Sequence, residues 1–575
     1  MPVCLSISSL TFSGGDTIDL KPNSVVVFVG PNNAGKTTAL NEVFTALSDG
    51  RPRHVLKRVD WEFPATKPEL WSWMKENVFH FAEWGKETKY QRFGASASES
   101  QLTSAWQGHR DRRNLGALAA FLCSQSGALQ RLQTANETSA YDVLRQPPSQ
   151  PLQYLLQFEE LENRVSEITQ EAFGFPIVVD RGPTNRVHVY CGVAPTRTKR
   201  EDRSSASYRS RLFKLPLLSE QGDGVKSFIG CVLAATTSGA FIRLIDEPEV
   251  FLHPPHARYL GKLLCQNTQL KEAWRGSKQP FQLFIATHSS DFLRGVLDSS
   301  AQNVVIVRIT RDGAVNRAKA LRLGKMNAHL SNPLLRHSNV LDALFHDVAI
   351  VCEADTDCRF YGAVAESLLE GTSDTKRTHA LFTWGGGKDR IPKIVSSLRE
   401  FGVPARAVVD IDVFANQRNL RDLIESMGAL WSEFERDWKI LGDSLTKGSA
   451  APKIKEVRSV IDRVLPVGSA GQISRDQSER IREATKFKSK WDDVKTAGLA
   501  AIPSGQPQEA AVRLITKLRT VGIHVVPVGQ LESWDRTVSN HGVKWVSEVL
   551  SIRDILKAPE LKEAREFVAN LMSQR

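Results

Sequence analysis

Apolar residues alternate with polar ones at Val3, Leu5 and Ile7, and again at Ile18 and Leu20, which predicts short strands with one buried face. Residues 24–29, SVVVFV, are apolar without alternation and rich in β-branched side chains, the pattern of a strand covered on both faces. A glycine-containing turn follows, then a helix over about 36–47. Residues 52–170 read as mostly helical and rich in Trp, Gln and Leu, with Pro147, Pro148 and Pro151 as breaks. Residues 176–215 read as strands around a polar, basic loop, and apolar strands are expected at 241–245, 281–286 and 303–309. A polar connection at 324–340 marks a domain boundary. Beyond it, strands at 347–353, 379–384, 406–412 and 524–529 alternate with helical stretches, which predicts a parallel α/β sheet. Residues 417–500 are charged and helical and read as an insertion. The expected layout is two α/β units, 1–335 and 340–575. The first carries a helical insertion at 60–170, expected to serve dimerisation, and the second carries one at 417–500.

Composition narrows this only a little. A chain of 575 residues has the length of roughly four average domains. With 41% apolar and 24% charged residues it is not a disordered chain. The net charge of +11 is a mild pointer to a polyanionic partner. Seven cysteines form no CxxC pair and no zinc spacing, so free thiols in a reducing cytosol are expected. The chain start lacks the pattern of a signal peptide. The apolar stretch 228–245 is interrupted by Thr236, Thr237, Ser238, Gly239 and Arg243, which fits a helix, a turn and a strand rather than a membrane span. A cytoplasmic protein with no membrane partner is expected.

The chemistry begins at Gly30-Pro31-Asn32-Asn33-Ala34-Gly35-Lys36-Thr37, which satisfies GxxxxGK[ST] between a buried strand and a helix. Glycines let backbone N–H groups wrap phosphates, and the helix start adds a favourable dipole. Gly30, Asn33, Gly35, Lys36, Thr37 and Thr38 are therefore candidate ATP ligands, with Lys36 on the β/γ-phosphates and Thr37 on Mg²⁺. A later strand ends in Asp246-Glu247. Asp246 suits a Mg²⁺ held through water, and Glu247 suits the polarisation of an attacking water. His288, after the strand at 281–286, is a candidate γ-phosphate sensor.

A second set of acids lies in the C-terminal half. Glu353 ends one strand, with Asp355 and Asp357 just after it, and Asp410 and Asp412 end another. In a parallel sheet such strand ends share one edge, where carboxylates can converge on Mg²⁺ or Mn²⁺. Metals held there can drive phosphodiester cleavage.

GPNNAGKTT, LIDEPEVFLHP and ATHSSDFL together resemble the ABC-type ATPase heads of the SMC and RecF group. In that group two heads sandwich the nucleotide, and a signature loop from one head covers the γ-phosphate held by the other. The resemblance places that loop at 218–224, with Ser219, Gly222 and Gly224 facing the partner's nucleotide, and implies a homodimer or higher homo-oligomer. The C-terminal half resembles a Toprim domain. An ABC ATPase followed by Toprim resembles the OLD (overcoming lysogenization defect) family of nucleases, the group that also holds the Gabija nuclease subunit. The resemblance makes Glu353 and Asp357 the first acidic motif, Asp410 and Asp412 the DxD, and Glu532 a later metal ligand. Lys544 becomes the lysine that stabilises the cleavage transition state, and Gly385-Gly386-Gly387-Lys388 the glycine-rich turn. One position departs from the pattern: Glu353-Ala354 stands where the family has Glu-Gly.

The implied activity is an ATP-regulated, divalent-metal-dependent DNA endonuclease or nickase in bacterial anti-phage defence, with a helicase or other defence protein as a further partner. A topoisomerase would need a supported nucleophilic tyrosine, and a primase a zinc ribbon; neither is evident. The rival reading is an ATP-gated DNA clamp or repair adaptor with an inactive Toprim-like domain, motivated by Ala354. Three basic groups are candidate DNA contacts: Arg197, Lys199, Arg200, Arg203, Arg209, Arg211 and Lys214; Arg51, Arg53, Lys57 and Arg58; and Arg110, Arg112 and Arg113.

Overall fold

The chain divides into two compact units, Met1–His337 and Ser338–Arg575. The computed structural model describes residues 4–50, 54–82, 87–92, 95–144, 146–198, 201–237, 239–266, 281–299, 301–322, 339–370, 379–446, 453–466, 471–485 and 490–573.

In the first unit β1 (Ser6–Phe12) and β2 (Thr17–Asp19) form an antiparallel hairpin, and β3 (Val25–Val29) feeds the helix Lys36–Ser48. β4 (Leu56–Glu62) returns to β1. β5 (Phe79–Phe81), β6 (Lys89–Arg92) and β7 (Ala95–Ser98) make an antiparallel sheet. After β8 (Cys123–Ser126), β9 (Thr138–Ser139) pairs with β11 (Arg186–Val187), and β10 (Ile177–Val179) with β12 (Val189–Cys191). β13 (Ile242–Asp246), β14 (Gln282–Ala286), β15 (Val304–Asp312) and β16 (Val315–Arg322) complete the unit.

The main sheet has the order β16-β15-β3-β14-β13-β8. Its strands are parallel except for the β15–β16 hairpin. Every residue of β3 and β14 is buried, as their uninterrupted apolar character requires. Gln282 supplies the polar tie. Its buried amide accepts from Ile7 N at 2.7 Å and donates to the Ile7 and Lys21 carbonyls at 2.8 Å, fastening the β1–β2 hairpin to the sheet.

The stretch 60–170 is less helical than its composition suggests. It holds the helices Lys67–Asn77, Glu99–Arg112, Pro151–Gln157 and Glu159–Phe173, but also β5 to β7, and β8 is a strand of the main sheet. β8 reads Cys-Ser-Gln-Ser, a polar edge strand with no apolar alternation to announce it. The basic stretch around 200 is also more ordered than a loop, because the helix Ala206–Leu212 runs through it. Three of its arginines are engaged within the chain: Arg203 with Glu162 at 2.5 Å, Arg209 with the buried Asp180 at 2.9 Å, and Arg211 with Glu201 at 2.6 Å. Arg58 pairs with Asp60 at 2.6 Å. Arg203 and Arg209 are thus held by buried carboxylates, while Arg211 and Arg58 stay partly exposed within their ion pairs. Arg51, Arg53, Lys199, Arg200 and the Arg112 side chain lie outside the described residues.

In the second unit β17 (Val348–Cys352), β18 (Ala380–Trp384), β19 (Ala405–Asp410) and β20 (Ile523–Val526) form a parallel sheet of order β18-β17-β19-β20. The helices Asp355–Glu370, Val543–Ile552 and Lys562–Ser573 cover one face with a core that includes Phe360, Tyr361, Trp545 and Val568. The chain between β19 and β20 holds the helices Gln417–Ser426, Glu435–Thr446, Ile454–Val464, Arg475–Thr485 and Lys490–Ala497. Among the described residues no helix is long and apolar enough to cross a membrane. The seven cysteines are free thiols.

Candidate functional sites

The register of the main sheet sets the first site. Ala286 lies opposite both Phe28 and Asp246, so β3, β13 and β14 end at one edge. The loop after β3 turns on Gly30 (φ 146°), Asn33 (φ 62°) and Gly35 (φ 92°). A Cβ on Gly30 would stand 2.1 Å from the Ile309 carbonyl oxygen, so β15 leaves no room for a larger residue. Lys36 is buried and donates to the Gly30 and Pro31 carbonyls at 2.9 and 3.0 Å. Burial lowers its pKa, while Glu247, Glu249 and Asp246 pull the other way. Thr37 and Thr38 are exposed at the helix start. The Thr37 hydroxyl donates to Asp246 Oδ1 at 3.0 Å, joining the two residues expected to share a cation. Burial raises the Asp246 carboxyl, and the Thr37 bond opposes that.

Glu247 adopts φ 48°, a left-handed backbone that a non-glycine residue holds only when its surroundings enforce it. Its N–H donates to the Ala286 carbonyl at 2.8 Å. The fully buried Arg131 grips the same turn, donating to the Asp246 carbonyl at 2.8 Å and the Glu247 carbonyl at 2.7 Å. Glu247 Oε1 lies 2.7 Å from His288 Nε2, so two residues chosen from separate strand ends meet. The His288 N–H donates to Glu249 at 3.0 Å, and Thr287 does so at 2.8 Å. Burial raises the Glu249 carboxyl. Ser219 lies in the turn Leu218–Glu220, and Gly222 and Gly224 at the start of the helix Asp223–Thr237. Ser219 donates to Glu137 at 3.3 Å. Among the described residues no hydrogen bond joins these three to residues 30–37.

The second site lies at the C-terminal edge of the β17–β19 pair, where Val351 stands opposite Ala407. Glu353, Asp410 and Asp412 each place a carboxylate oxygen within 4.8 Å of the others. Glu353 Oε1 accepts the Asp410 N–H at 3.0 Å, which locks one strand end to the other. Burial pushes Glu353 up to about 7, with Lys388 opposing. Burial, then the Glu353 and Asp412 charges, push Asp410 up to about 8. Asp412 goes the other way: burial would raise its carboxyl, but Lys388 and Lys495 outweigh it and hold it below the usual range. Lys388 bonds to Asp412 and lies 3.8 Å from Glu353, and Lys495 lies 3.1 Å from Asp412. Three hard oxygen donors, two of them raised towards neutrality by mutual repulsion and burial, fit a divalent cation.

The other expected ligands are not part of this mutually close group, although the Asp357 charge also adds to the rise of Glu353 and Asp410. Asp357 accepts the Ala354 N–H at 3.0 Å, and burial together with the Glu532 charge raises its carboxyl. Glu532 accepts the Gly542 N–H at 2.9 Å. Lys544 is exposed on the helix Val543–Ile552, and among the described residues it makes no ion pair with the trio. Ala354 is not among the residues with positive φ, so the backbone there needs no glycine. The departure from Glu-Gly thus leaves the local turn intact.

Sequence reasoning missed Arg131, Glu249, Asn316 and Lys495. Asn316, buried on β16, donates to the Ala34 carbonyl at 2.8 Å and so holds the loop 30–37 from behind. A polar residue on a polar edge strand carried no signal. Glu249 was within reach, because it stands two residues past an acidic pair already singled out.

Fold and geometry define a two-unit α/β protein with a GxxxxGK[ST] loop at one sheet edge and a carboxylate trio at another. No protein-family model and no curated protein matches the sequence. Among solved structures the chain is similar to an SMC head bound to the C-winged helix domain of ScpA, at 12% identity and a TM-score of 0.33, covering 56% of this chain and 99% of that one. It is also similar to the SMC head domain from Thermotoga maritima, at 13% identity and a TM-score of 0.27, covering 56% and 100%. A third is cbiO1 from Clostridium perfringens, part of an ABC transporter complex, at 13% identity and a TM-score of 0.28, covering 58% and 94%. At this level of similarity those proteins lend the chain neither an activity nor a partner.

Proposed function

We propose that the chain is an ATP-regulated, divalent-metal-dependent DNA endonuclease or nickase of the OLD kind, acting in bacterial anti-phage defence. In this reading an ABC-type ATPase unit, 1–335, is joined to a Toprim-like nuclease unit, 340–575. The observation that carries it is the convergence of Glu353, Asp410 and Asp412 within 4.8 Å at the ends of neighbouring parallel strands. These three would hold Mg²⁺ or Mn²⁺, and Asp357 and Glu532 are candidates for a second cation beside them. A cation there supplies Lewis-acid charge for phosphodiester cleavage. Lys544, exposed on its helix, is the candidate for stabilising the cleavage transition state.

In the first unit Thr37 and Asp246 would hold the nucleotide's Mg²⁺, and Lys36 would exchange its loop carbonyls for the β/γ-phosphates. Glu247, aimed by His288, is the candidate base for ATP hydrolysis. Ser219, Gly222 and Gly224 would serve the nucleotide of a second copy, which makes the active ATPase a homodimer or larger assembly.

The test is cleavage of supercoiled plasmid in Mg²⁺ or Mn²⁺ by wild type and by Asp410→Ala/Asp412→Ala, each with and without ATP. Nicked or linear product from wild type alone supports the reading. Equal cleavage by both proteins refutes it. An intact plasmid under every condition, with ATP-dependent DNA binding, returns the ATP-gated clamp instead.

A further inference from the structure

The carboxylate trio comes with two cations of its own. Lys388 follows the glycine turn Gly385-Gly386-Gly387, which is pinned to β17 by Gly385 N donating to the Cys352 carbonyl and Gly387 N to the Glu353 carbonyl, both at 3.1 Å. Its ammonium bonds to Asp412 and lies 3.8 Å from Glu353. Lys495 arrives from the helix Lys490–Ala497, far along the chain, and meets Asp412 at 3.1 Å.

That second lysine is placed by construction. A Cβ on Gly529 (φ 122°) would stand 2.2 Å from the Lys495 carbonyl oxygen, and one on Gly498 (φ 67°) 2.3 Å from the Pro527 carbonyl oxygen. Glycines at both points let the helix end seat directly on the loop after β20. Leu499 N donates to the Pro527 carbonyl at 3.0 Å, and Ser533 Oγ to the Thr496 carbonyl at 3.0 Å. Ile411 N donates to the Gly529 carbonyl at 3.1 Å, so the same loop also braces the Asp410–Asp412 turn.

We propose that Lys388 and Lys495 are exchange cations of this site. In the metal-free protein they neutralise Asp412 and Glu353. A divalent cation takes those oxygens, and the freed ammoniums bind the phosphodiester of a nucleic acid. Metal and nucleic acid then bind with positive coupling, because each provides the partner that the other's arrival leaves wanting. The identity of the anion rests on the nuclease reading; the competition between lysine and metal does not.

The experiment counts Mn²⁺ bound to the full-length protein by the electron paramagnetic resonance of free Mn²⁺, without nucleotide or DNA. Lys495→Gln and Lys388→Gln should bind Mn²⁺ about tenfold more tightly than wild type, since each removes a competing positive charge. Asp412→Asn should bind it more weakly, which identifies the site being counted. Lys495→Arg keeps the charge and should stay near wild type, so tightening in that variant would mean a packing effect and overturn the proposal. Anisotropy of a labelled single-stranded oligonucleotide in Ca²⁺ gives the second half, with an expected loss of about fivefold or more in both Gln variants. Unchanged or weaker Mn²⁺ binding in both Gln variants, or unchanged DNA binding, overturns the exchange. Tighter Mn²⁺ binding in the Gln variants, with a wild type that cuts no DNA in any metal, supports the exchange and sinks the nuclease reading alone.

Discussion

Replacing Asp410 by Asn should stabilise the metal-free protein while weakening its hold on metal. The carboxylates of Glu353, Asp410 and Asp412 lie within 4.8 Å of one another, where two unit charges repel by roughly 3 kcal/mol at an effective dielectric constant of 20. Lys388 and Lys495 offset much of this, leaving a net relief of about 1–3 kcal/mol when the charge at 410 is removed. For a unit of this size that is roughly 2–12 °C in Tm. The size of the effect depends on pH. Asp410 is raised to about 8, so the folded protein holds its proton more tightly than the unfolded chain does. The stability this contributes is complete below the ordinary carboxylate range and is lost as pH rises through the raised value. Asn does not titrate. Thermal melts in EDTA should therefore show a gap between Asp410→Asn and wild type that is small near about pH 6 and widest near about pH 9. Adding Mn²⁺ should raise the wild-type Tm more than that of the variant. A variant that melts at or below wild type near pH 9, or a gap independent of pH, refutes the reasoning.

Four further outcomes are expected. Lys36→Ala should lose most nucleotide affinity, about a hundredfold or more by titration with a fluorescent ATP analogue, because the loop's one cation is gone. Arg131→Met should lower the Tm and cut ATP turnover more than ATP affinity, since its guanidinium holds the Asp246 and Glu247 carbonyls; unchanged steady-state turnover would contradict this. Asn316→Ala strands the Ala34 carbonyl and should weaken nucleotide binding by about 1 kcal/mol, roughly fivefold by calorimetry. Mn²⁺ affinity at the trio should rise with pH between about 6 and 9, because Glu353 and Asp410 are both raised and must release protons to bind metal; a flat pH profile would count against the assignment.

The sheet cores were legible because β-branched runs such as Val25–Val29 and Val348–Cys352 have few other ways to be buried. The acids at their ends were legible for the same reason: once a parallel strand is placed, the residue after it lies at the ligand edge. What escaped were polar edge strands such as β8 and β16, whose place is set by pairing and not by an apolar face. Partners that depend on tertiary contact escaped as well. Lys495 lies 83 positions beyond Asp412 in a charged, helical stretch, and only the close approach of Gly498 and Gly529 brings it home. In the basic stretch, buried Asp180 and Glu162 engage Arg209 and Arg203, pairings that sequence spacing does not reveal.

The proposed divalent cation sits among Glu353, Asp410 and Asp412. Anomalous scattering from crystals soaked in Mn²⁺ near pH 8 tests it most directly. A peak among the three carboxylates, with the Lys388 and Lys495 ammoniums drawn off Asp412, is the predicted result. Mn²⁺ bound elsewhere in the second unit, with both lysines still on Asp412, would contradict it.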